Sequence, residues 1–304
     1  MRFRVTKFAP YAIALSLLIM LVGAVAGILY GMRLGIDFTG GSLLVLNIGE
    51  PFDSARIEQI VGDHVSADFQ VAASDGTKAL IRIQDRDLNA EELDEVRDNI
   101  IEDIRAQYPE TQIETIDRVG AVAGRELMRN AFLSVAVACA FMLIYIWIRF
   151  ELLSGFAALV ALLHDVAIMT AAVLILRQQV NTSFIAAVLT IVGYSINDTI
   201  VVFDRIRENK KRYSRELSRA EIVDRSVSEM MSRTLNTSLT TLFTITAVYI
   251  LGVPSIREFT LPIIVGIVCG TWSSVFIASP LWLYCHSFIE KRRQTRKAAA
   301  RQKV

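Results

Sequence analysis

Residues 184–203 read FIAAVLTIVGYSINDTIVVF, an almost entirely apolar run. A helix that crosses the hydrocarbon core of a membrane needs about 20 such residues. Further runs of this kind occur on both sides of it, at residues 10–30, 131–148, 153–176, 235–251 and 261–284. The sequence therefore predicts a polytopic α-helical membrane protein with six transmembrane helices.

The composition of the 304-residue chain agrees with this prediction. The chain is 53% hydrophobic, which is more apolar surface than a soluble domain of this size can bury. Its charged fraction of 21% is close to that of soluble proteins, so the charges must be concentrated outside the spans. Cys139, Cys269 and Cys285 lie in or at the end of apolar runs, so no disulfide framework is implied. An ordinary cytosolic enzyme, a disulfide-built secreted domain and a disordered chain are thereby excluded.

The first apolar run has two interpretations. Basic residues precede it, and Ala24-Val25-Ala26 resembles the cleavage site of a signal peptide. The apolar character nevertheless continues to Tyr30, beyond what a signal peptide needs. We therefore interpret the run as a retained membrane anchor.

The distribution of Lys and Arg predicts the orientation of the spans. Basic residues dominate the N-terminus, the stretch 204–233 and the C-terminal tail 287–304, whereas residues 34–129 contain twenty acidic and nine basic residues. Because basic segments stay in the cytoplasm, both termini are expected there and the acidic region outside. Basic clusters beside a membrane indicate contact with the lipid bilayer, so no nucleic acid is expected as a partner. Four regions follow: 1–33 with the first span, the external domain 34–129, the bundle 130–286 with a basic loop 204–233, and the tail 287–304.

The external region has the pattern of a small α+β domain. Short amphipathic segments predict the order β-α-β-β-α-β, which is typical of a ferredoxin-like sheet with its helices on one face. The predicted strands cover residues 42–48, 69–73, 79–83 and 112–118, and the predicted helices cover residues 54–61 and 90–108. His64 is interpreted as an ordinary helix-end residue, because the spacing of metal ligands is absent. We expect a binding or force-transmitting module without metal or cofactor, and no enzyme.

An ionisable residue within the fourth span is the first functional candidate. A charge at the centre of a span costs roughly 2.5–3.5 kcal/mol, so Asp198, with Asn197 and Thr199 beside it, requires an explanation. Asp198 lies about 9 Å along the helix from Asp204, too deep for an interfacial charge, and Asp204 is a further candidate for the same proton pathway. One interpretation is proton transfer, and the other is a structural hydrogen bond to a neighbouring helix.

Arg233 is the second candidate, at the start of the fifth span. It begins a polar stripe at helical spacing, formed by Asn236 or Thr237, Thr240 or Thr241, and Thr244. Its side chain can extend outward to lipid phosphate or inward to Asp198. The stripe favours a helix face turned toward the bundle.

The pair His164–Asp165, near the middle of the third span, is the third candidate. A proton relay and a structural hydrogen bond are equally good interpretations of it. Burial disfavours the charged form of a carboxyl group, whereas a nearby arginine favours that form. A conformational change that moves Arg233 could therefore switch Asp198 between holding and releasing a proton. The phosphate-binding motif of ATPases, G-x-x-x-x-G-K-[ST], is absent, so ATP is not the expected energy source.

Two further patterns predict local structure. Gly266, Gly270, Ser274 and Ala278 recur at four-residue spacing in the sixth span, which permits close helix packing. After the first span, Gly35, Gly40 and Gly41 permit a sharp turn into the first strand. Asp37 within this turn could cap it or bind a partner helix, and the turn chemistry alone explains it.

Several runs of residues resemble the SecD/SecF family of protein-export membrane proteins. They are Gly35-Ile-Asp-Phe-Thr-Gly-Gly41, Val192-Gly-Tyr-Ser-Ile-Asn-Asp-Thr199, Phe203-Asp-Arg-Ile-Arg-Glu-Asn209 and Arg233-Thr-Leu-Asn-Thr237. With six spans and one small external domain, the whole chain is similar to the SecF-type members of this family.

The resemblance implies more than the residues alone do. It implies a subunit that pairs with a separate SecD chain in a twelve-helix assembly related to the resistance-nodulation-division transporters of bacterial inner membranes. It also implies cooperation with the SecYEG channel and SecA, using the proton-motive force to complete export of unfolded preproteins, with YajC and YidC as possible partners. In the family, the positions of Asp198 and Arg233 are implicated in proton transport.

Two other functions stay open. The chain could be a half-size subunit of a proton-coupled small-molecule efflux pump, although such pumps usually have twelve spans and large paired external domains. It could also be a passive scaffold that stabilises a channel, in which case Asp198 and Arg233 would tolerate neutral replacement. Assays of drug resistance and of export distinguish these functions.

Overall fold

The computed structural model describes residues 4–65, 68–74, 76–84 and 90–301. They form two compact units. Leu34–Leu133 and Gln179–Thr182 form the external unit, and the remaining residues form the membrane unit. The inclusion of Gln179–Thr182 in the external unit was not predicted from the sequence. The first helix is α1 Val5–Tyr30. It is followed by a mixed region of short helices and strands: α2 Ile36–Thr39, β1 Gly41–Asn47, α3 Ser54–His64, β2 Asp68–Ser74, β3 Lys78–Gln84, α4 Ala90–Gln107 and β4 Gln112–Val119. The rest of the chain is helical: α5 Ala121–Arg149, α6 Leu152–Ile175, α7 Thr182–Tyr213, α8 Arg219–Leu251, α9 Pro254–Ser273, a π-helical turn Ser274–Ala278, and α10 Ser279–Arg301.

The external unit contains a four-stranded antiparallel sheet in the order β2-β3-β1-β4. In its centre, Leu44 of β1 lies opposite Ile81 of β3 and Ile116 of β4. The register between β1 and β4 shifts after Val45. Strands β1 to β4 and helices α3 and α4 follow each other in the predicted order β-α-β-β-α-β. The ferredoxin-like classification itself stays a prediction.

The core of the external unit lies between one sheet face and the two helices. Alternate residues of a strand point to the same face, so Leu44 and Leu46 of β1 are buried together with Ile48, the residue that follows the strand. Ile57 of α3 and Ile104 of α4 are fully buried against them. At the end of α3, His64 Nε2 lies 2.7 Å from Asp103 Oδ2 of α4, a contact that the sequence did not predict. His64 thus ends its helix, as expected, and also links the two helices.

The membrane unit contains six helical segments that are long and apolar enough to cross a membrane, in the part of the chain that the structure describes. Each predicted span lies within one of them, except that the third, 153–176, extends one residue past the end of its helix at Ile175. The helices extend beyond the apolar runs, because polar helix ends reach past the hydrocarbon core. The chain is therefore a multi-pass membrane protein.

The stretch 204–233, predicted as a loop, is mostly helical. Helix α7 continues to Tyr213 and α8 begins at Arg219, so that only residues 214–218 connect them. A capping box explains the early start of α8. Ser218 Oγ accepts a hydrogen bond from Glu221 N, and the Glu221 carboxylate accepts one from Ser218 N. The signal was present in the sequence as Ser-x-x-Glu, and apolar run length alone does not detect it.

Candidate functional site

Asp198 lies in the middle of α7 and is buried, with 5% of its surface exposed. Thr234 and Arg233, at the start of the apolar part of α8, are close enough to interact with its carboxylate. Oδ2 of Asp198 and the Thr234 hydroxyl are both buried, and neither has a partner of ordinary hydrogen-bond geometry among the described residues. An unpartnered buried carboxylate oxygen is costly, and both interpretations of Asp198, proton transfer and a structural hydrogen bond to a neighbouring helix, stay predictions. Of its neighbours, Thr199 is buried and Asn197 is exposed.

Arg233 and the polar stripe behind it are exposed in this chain. Asn236, Thr237 and Thr240 lie on the surface, whereas Thr234 and Ser238 of the same helix are buried. The expectation that the stripe faces the bundle of this chain is therefore wrong. Threonine hydroxyls can donate to a carbonyl one turn earlier, as Thr237 does to Arg233 O at 2.9 Å, and they then need no partner on another helix.

His164 and Asp165 occupy the interior of the membrane unit, and the Asp165 side chain is completely buried. One carboxylate oxygen accepts hydrogen bonds from Ser195 Oγ of α7 at 2.5 Å and from Ser273 Oγ of α9 at 2.8 Å. The other lies 2.9 Å from His164 Nδ1. This carboxylate connects three helices. The second ring nitrogen of His164, Nε2, is buried without a partner among the described residues.

Asp204 is exposed rather than part of a buried pathway. Its carboxylate lies 3.4 Å from Arg149 at the end of α5, and both side chains are about half exposed. The structure does not bring Asp204 together with Asp198, because the step of six positions along α7 turns the Asp204 side chain to the surface.

A polar network between α7 and α8 was not predicted from the sequence. Glu229 accepts hydrogen bonds from Arg205 at 2.6 Å, Asn209 at 2.8 Å and Arg225 at 2.9 Å. Asn209 is buried and also donates to Ser226. The only sequence feature that pointed to this network is the run 203–209, which ends at Asn209. No sequence feature marked Glu229, because its partners lie on another helix or one turn away.

Glu151, between α5 and α6, is held by a side chain from each of two other helices, α7 and α10. Its carboxylate accepts hydrogen bonds from Lys210 Nζ at 3.0 Å and lies 3.1 Å from His286 Nε2. Partial burial opposes ionisation of Glu151, but the hydrogen bonds and charges of Lys210 and His286 outweigh it and lower the pKa of this carboxyl group. Glu151 therefore stays ionised and connects Lys210 of α7 with His286 of α10.

The glycine-rich turn 35–41 binds a segment within its own external unit. Gly35 N donates to Val180 O at 2.9 Å. The Asp37 carboxylate accepts hydrogen bonds from the backbone N of Thr182, at 2.9 Å, and from its hydroxyl. Gly40 and Gly41 have φ values of 80° and 135°, which favour glycine. Asp37 thus binds the first residue of another helix of the same chain, α7.

Two small residues of the sixth span, Gly266 and Gly270, lie against α7. A Cβ atom on Gly266 would collide with Ile191, and one on Gly270 would lie 3.1 Å from Ser195 Cβ. Ser274 and Ala278 bound the π-helical turn and are completely buried. Ser279 Oγ donates to Ser274 O at 2.9 Å within this turn. In the described residues, no group of three or more His, Cys, Asp or Glu side chains is arranged to hold a metal ion.

Comparison with protein families gives two matches along the chain. Residues 99–287 match the family model described as "Protein export membrane protein SecD/SecF, C-terminal". Residues 27–50 match the model "SecD/SecF GG Motif". The second match contains the turn that binds Thr182, and the first contains Asp165, Asp198 and Arg233.

Individual proteins of similar length are also related to the chain. "Protein translocase subunit SecF" of Sebaldella termitidis is 38% identical over 269 residues, which cover 87% of this chain and 85% of the relative. The protein of the same name from Acidaminococcus fermentans is 35% identical over 290 residues, covering 93% of this chain and 97% of the relative.

Among solved structures, the chain is similar to SecDF, described as a translocon-associated membrane protein, from Thermus thermophilus. The TM-score is 0.84 at 35% sequence identity, and the match covers 94% of this chain and 39% of the SecDF chain. A second SecDF structure, in its super-membrane-facing form, gives a TM-score of 0.70. This chain spans about two fifths of the length of SecDF.

Proposed function

We propose, because the chain belongs to the SecD/SecF family of protein-export membrane proteins, that it uses the proton-motive force to drive a late step of protein export. It is a SecF-type protein translocase subunit, a transport component and not an enzyme. The similarity to SecDF supports association with a SecD chain and with the Sec translocon. The proposal extends to an unfolded preprotein as substrate, to SecYEG with SecA acting before this subunit, and to YajC and YidC as further partners.

The burial of Asp198 is the observation that carries the coupling role. Its carboxyl group is removed from water, has an unpartnered oxygen, and lies near the guanidinium of Arg233. A buried carboxyl group holds a proton until a cation approaches, and releases it when the charged form is stabilised. Movement of Arg233 relative to Asp198 would thus control proton binding. One proton crossing about 100 mV supplies about 2.3 kcal/mol for a conformational change.

The exposed polar stripe of α8 supports a partner helix at this position. Arg233 and Asn236 lie exposed on the same surface of α8, and a guanidinium and an amide are costly against lipid tails. We propose that the SecD chain covers this surface and completes the path around Asp198 and Arg233. Asn197, which is exposed beside buried Asp198, would face the same partner.

For His164 and Asp165 we propose the structural alternative. The two serine hydroxyls already satisfy one oxygen of the Asp165 carboxylate, and His164 lies against the other. Asp165 is therefore a positioning residue that ties α6 and α9 to α7, the helix that carries Asp198.

We also propose the orientation that the charge distribution supports. Both termini and the α7–α8 connection would lie in the cytoplasm of a bacterium, and the acidic external unit would lie on the far side of the inner membrane.

Replacement of Asp198 tests the proposed coupling. Asp198→Asn and Arg233→Met are expressed in cells depleted of the native subunit, with Glu216→Gln as a charge-matched control at an exposed site in the α7–α8 connection. We expect both site variants to lose the part of export that an ionophore abolishes in the wild type. The control should retain it.

Protein abundance and co-purification with SecD are measured in the same cells. Normal gradient-dependent export by Asp198→Asn, with the complex intact, would contradict proton coupling and favour a passive scaffold. Altered drug resistance with unchanged export would favour an efflux pump instead.

A further inference from the structure

A basic cavity of about 570 Å³ lies at one end of the membrane unit, bounded by α5, α7 and α8. Five cationic side chains line it: Arg149, Arg205, Arg207, Lys211 and Arg233. Two carboxylates, Asp204 and Glu208, line it as well, so the cavity has a surplus of three positive charges.

The carboxylates neutralise only part of this cluster. Asp204 faces Arg149 at 3.4 Å, and Glu208 pairs with Arg205 at 2.6 Å. Arg207, Lys211 and Arg233 form no ion pair with a carboxylate within the described ranges of the chain. Arg207 donates only to the backbone oxygen of Arg149, at 3.3 Å. Three cations that converge on one concavity are therefore available to an anion.

The remaining lining of the cavity is apolar. Ile200 and Val201 lie about two to three turns along α7 from Lys211, toward the membrane interior, and Met230 comes from α8. Charge at one end and apolar side chains at the other match an amphiphile better than a free ion.

Aromatic residues place the charged end at the membrane surface. The Phe150 ring lies 5.1 Å from the guanidinium carbon of Arg149, and Trp147 is 63% exposed on α5. Aromatic and basic side chains concentrate at the level of the lipid head groups. Basic pockets between helices at this level suit the phosphates of anionic lipids.

We propose that this cavity binds the phosphate head group of an anionic phospholipid, whose acyl chains lie along the apolar lining at Ile200 and Val201. Arg207 and Lys211 hold the phosphate from α7, and Arg233 reaches it from α8. Because the charge of Arg233 also acts on Asp198, a bound phosphate competes with Asp198 for the same guanidinium. The lipid site itself does not depend on the proposed proton coupling, and binding is measured separately from export.

A pair of double variants tests the site on the purified full-length chain in detergent. R207Q/K211Q removes two cations of the cavity, and R212Q/R215Q removes the same charge from neighbouring positions outside it. Equal melting temperatures of both variants and the wild type establish that they fold. Binding of phosphatidylglycerol, phosphatidylethanolamine and inorganic phosphate is then measured by native mass spectrometry and by titration.

Each basic residue near an anionic lipid strengthens binding about fivefold. R207Q/K211Q should therefore bind phosphatidylglycerol about 25-fold more weakly than the wild type, and R212Q/R215Q should lose much less. Binding of phosphatidylethanolamine should be weak in all three proteins. Salt should weaken the phosphatidylglycerol complex of the wild type.

Three results would overturn the proposal. An equal loss in both double variants would mean that general charge, not the cavity, attracts the lipid. Binding of inorganic phosphate as tight as that of phosphatidylglycerol would assign the cavity to a free anion. Unchanged lipid binding by R207Q/K211Q, together with loss of co-purification with SecD, would assign it to a protein interface.

Discussion

The side chain of Asp165 shows how one residue can hold several helices of a membrane bundle. Its carboxylate is completely buried and accepts hydrogen bonds from Ser195 and Ser273 on two other helices. Removal of an acceptor leaves its donors unsatisfied in a low-dielectric interior, and each such group costs about 1–3 kcal/mol. The ion pair of Asp204 with Arg149 is exposed, where such pairs contribute at most about 1 kcal/mol.

Asp165→Ala should lower the free energy of unfolding by about 3 kcal/mol, because the hydroxyl of Ser195 loses its acceptor and Ser273 keeps only a weaker backbone contact. Asp204→Ala, the same substitution at an exposed acid, should lower it by less than about 1 kcal/mol. Denaturant unfolding of the purified proteins in detergent measures both. Similar losses in the two variants would contradict the positioning role of Asp165.

At the scale of elements, α9 and α7 approach closely because glycines replace side chains at their contact. Gly266 lies against Ile191 and Met169, and Gly270 against Ser195. Without a hydrophobic driving force between helices in lipid, such contacts depend on close packing. By contrast, a Cβ atom added to Gly193 of α7 would have no atom of the described residues within 4 Å.

Gly266→Ala should therefore destabilise the membrane unit by about 2 kcal/mol, because the added methyl group overpacks the contact with Ile191. Gly193→Ala should be neutral or stabilising by up to about 1 kcal/mol, since alanine favours the helix and meets no atom. The melting temperatures of the two single variants in detergent are the measurement. A stable Gly266→Ala protein would show that the two helices can move apart without cost.

The elements also show what the sequence could predict. Apolar run length predicts the six spans, because a helix in lipid must be apolar for a fixed length. Strand alternation predicts β1 to β4 within one or two residues, since one face of the sheet is buried. Run length does not predict the polar extensions of α7 and α8 beyond the hydrocarbon core. Those extensions are stabilised by Glu229 and by the Ser218 capping box, which depend on contacts and caps.

The site was predicted unevenly for a related reason. Asp198 and Asp165 are conspicuous because a charge inside an apolar run is rare. The side of α8 that is buried could not be predicted, since threonine hydroxyls can satisfy themselves on their own backbone. The role of Asp37 also depends on a loop that lies 145 residues away in the chain.

At the scale of the whole molecule, the net charge of +1 conceals a strong asymmetry. Residues 34–129 have twenty acidic and nine basic residues, whereas nine basic residues lie between positions 204 and 233. The positive-inside tendency predicts that these regions lie on opposite sides of the membrane. Exposed residues of each region can therefore report the orientation.

Glu58→Cys on α3 and Arg215→Cys in the α7–α8 connection test this orientation, each in a chain whose native cysteines are replaced by serine. In cells without an outer membrane, an impermeant thiol reagent should label Glu58→Cys at once. It should label Arg215→Cys only after the inner membrane is permeabilised. The reverse pattern would invert the proposed topology, and a cell that carries the cysteine-free chain provides the background signal.

Gln179–Thr182 belong to the external unit, although they lie between two membrane helices. The chain therefore passes between the two units four times, after residues 33, 133, 178 and 182, and not only at the two ends of residues 34–133. The last of these passages follows Thr182, which is the first residue of α7 and is held by Asp37. Asp37 consequently fixes the residue with which the helix that carries the buried acid begins, about four turns before that acid.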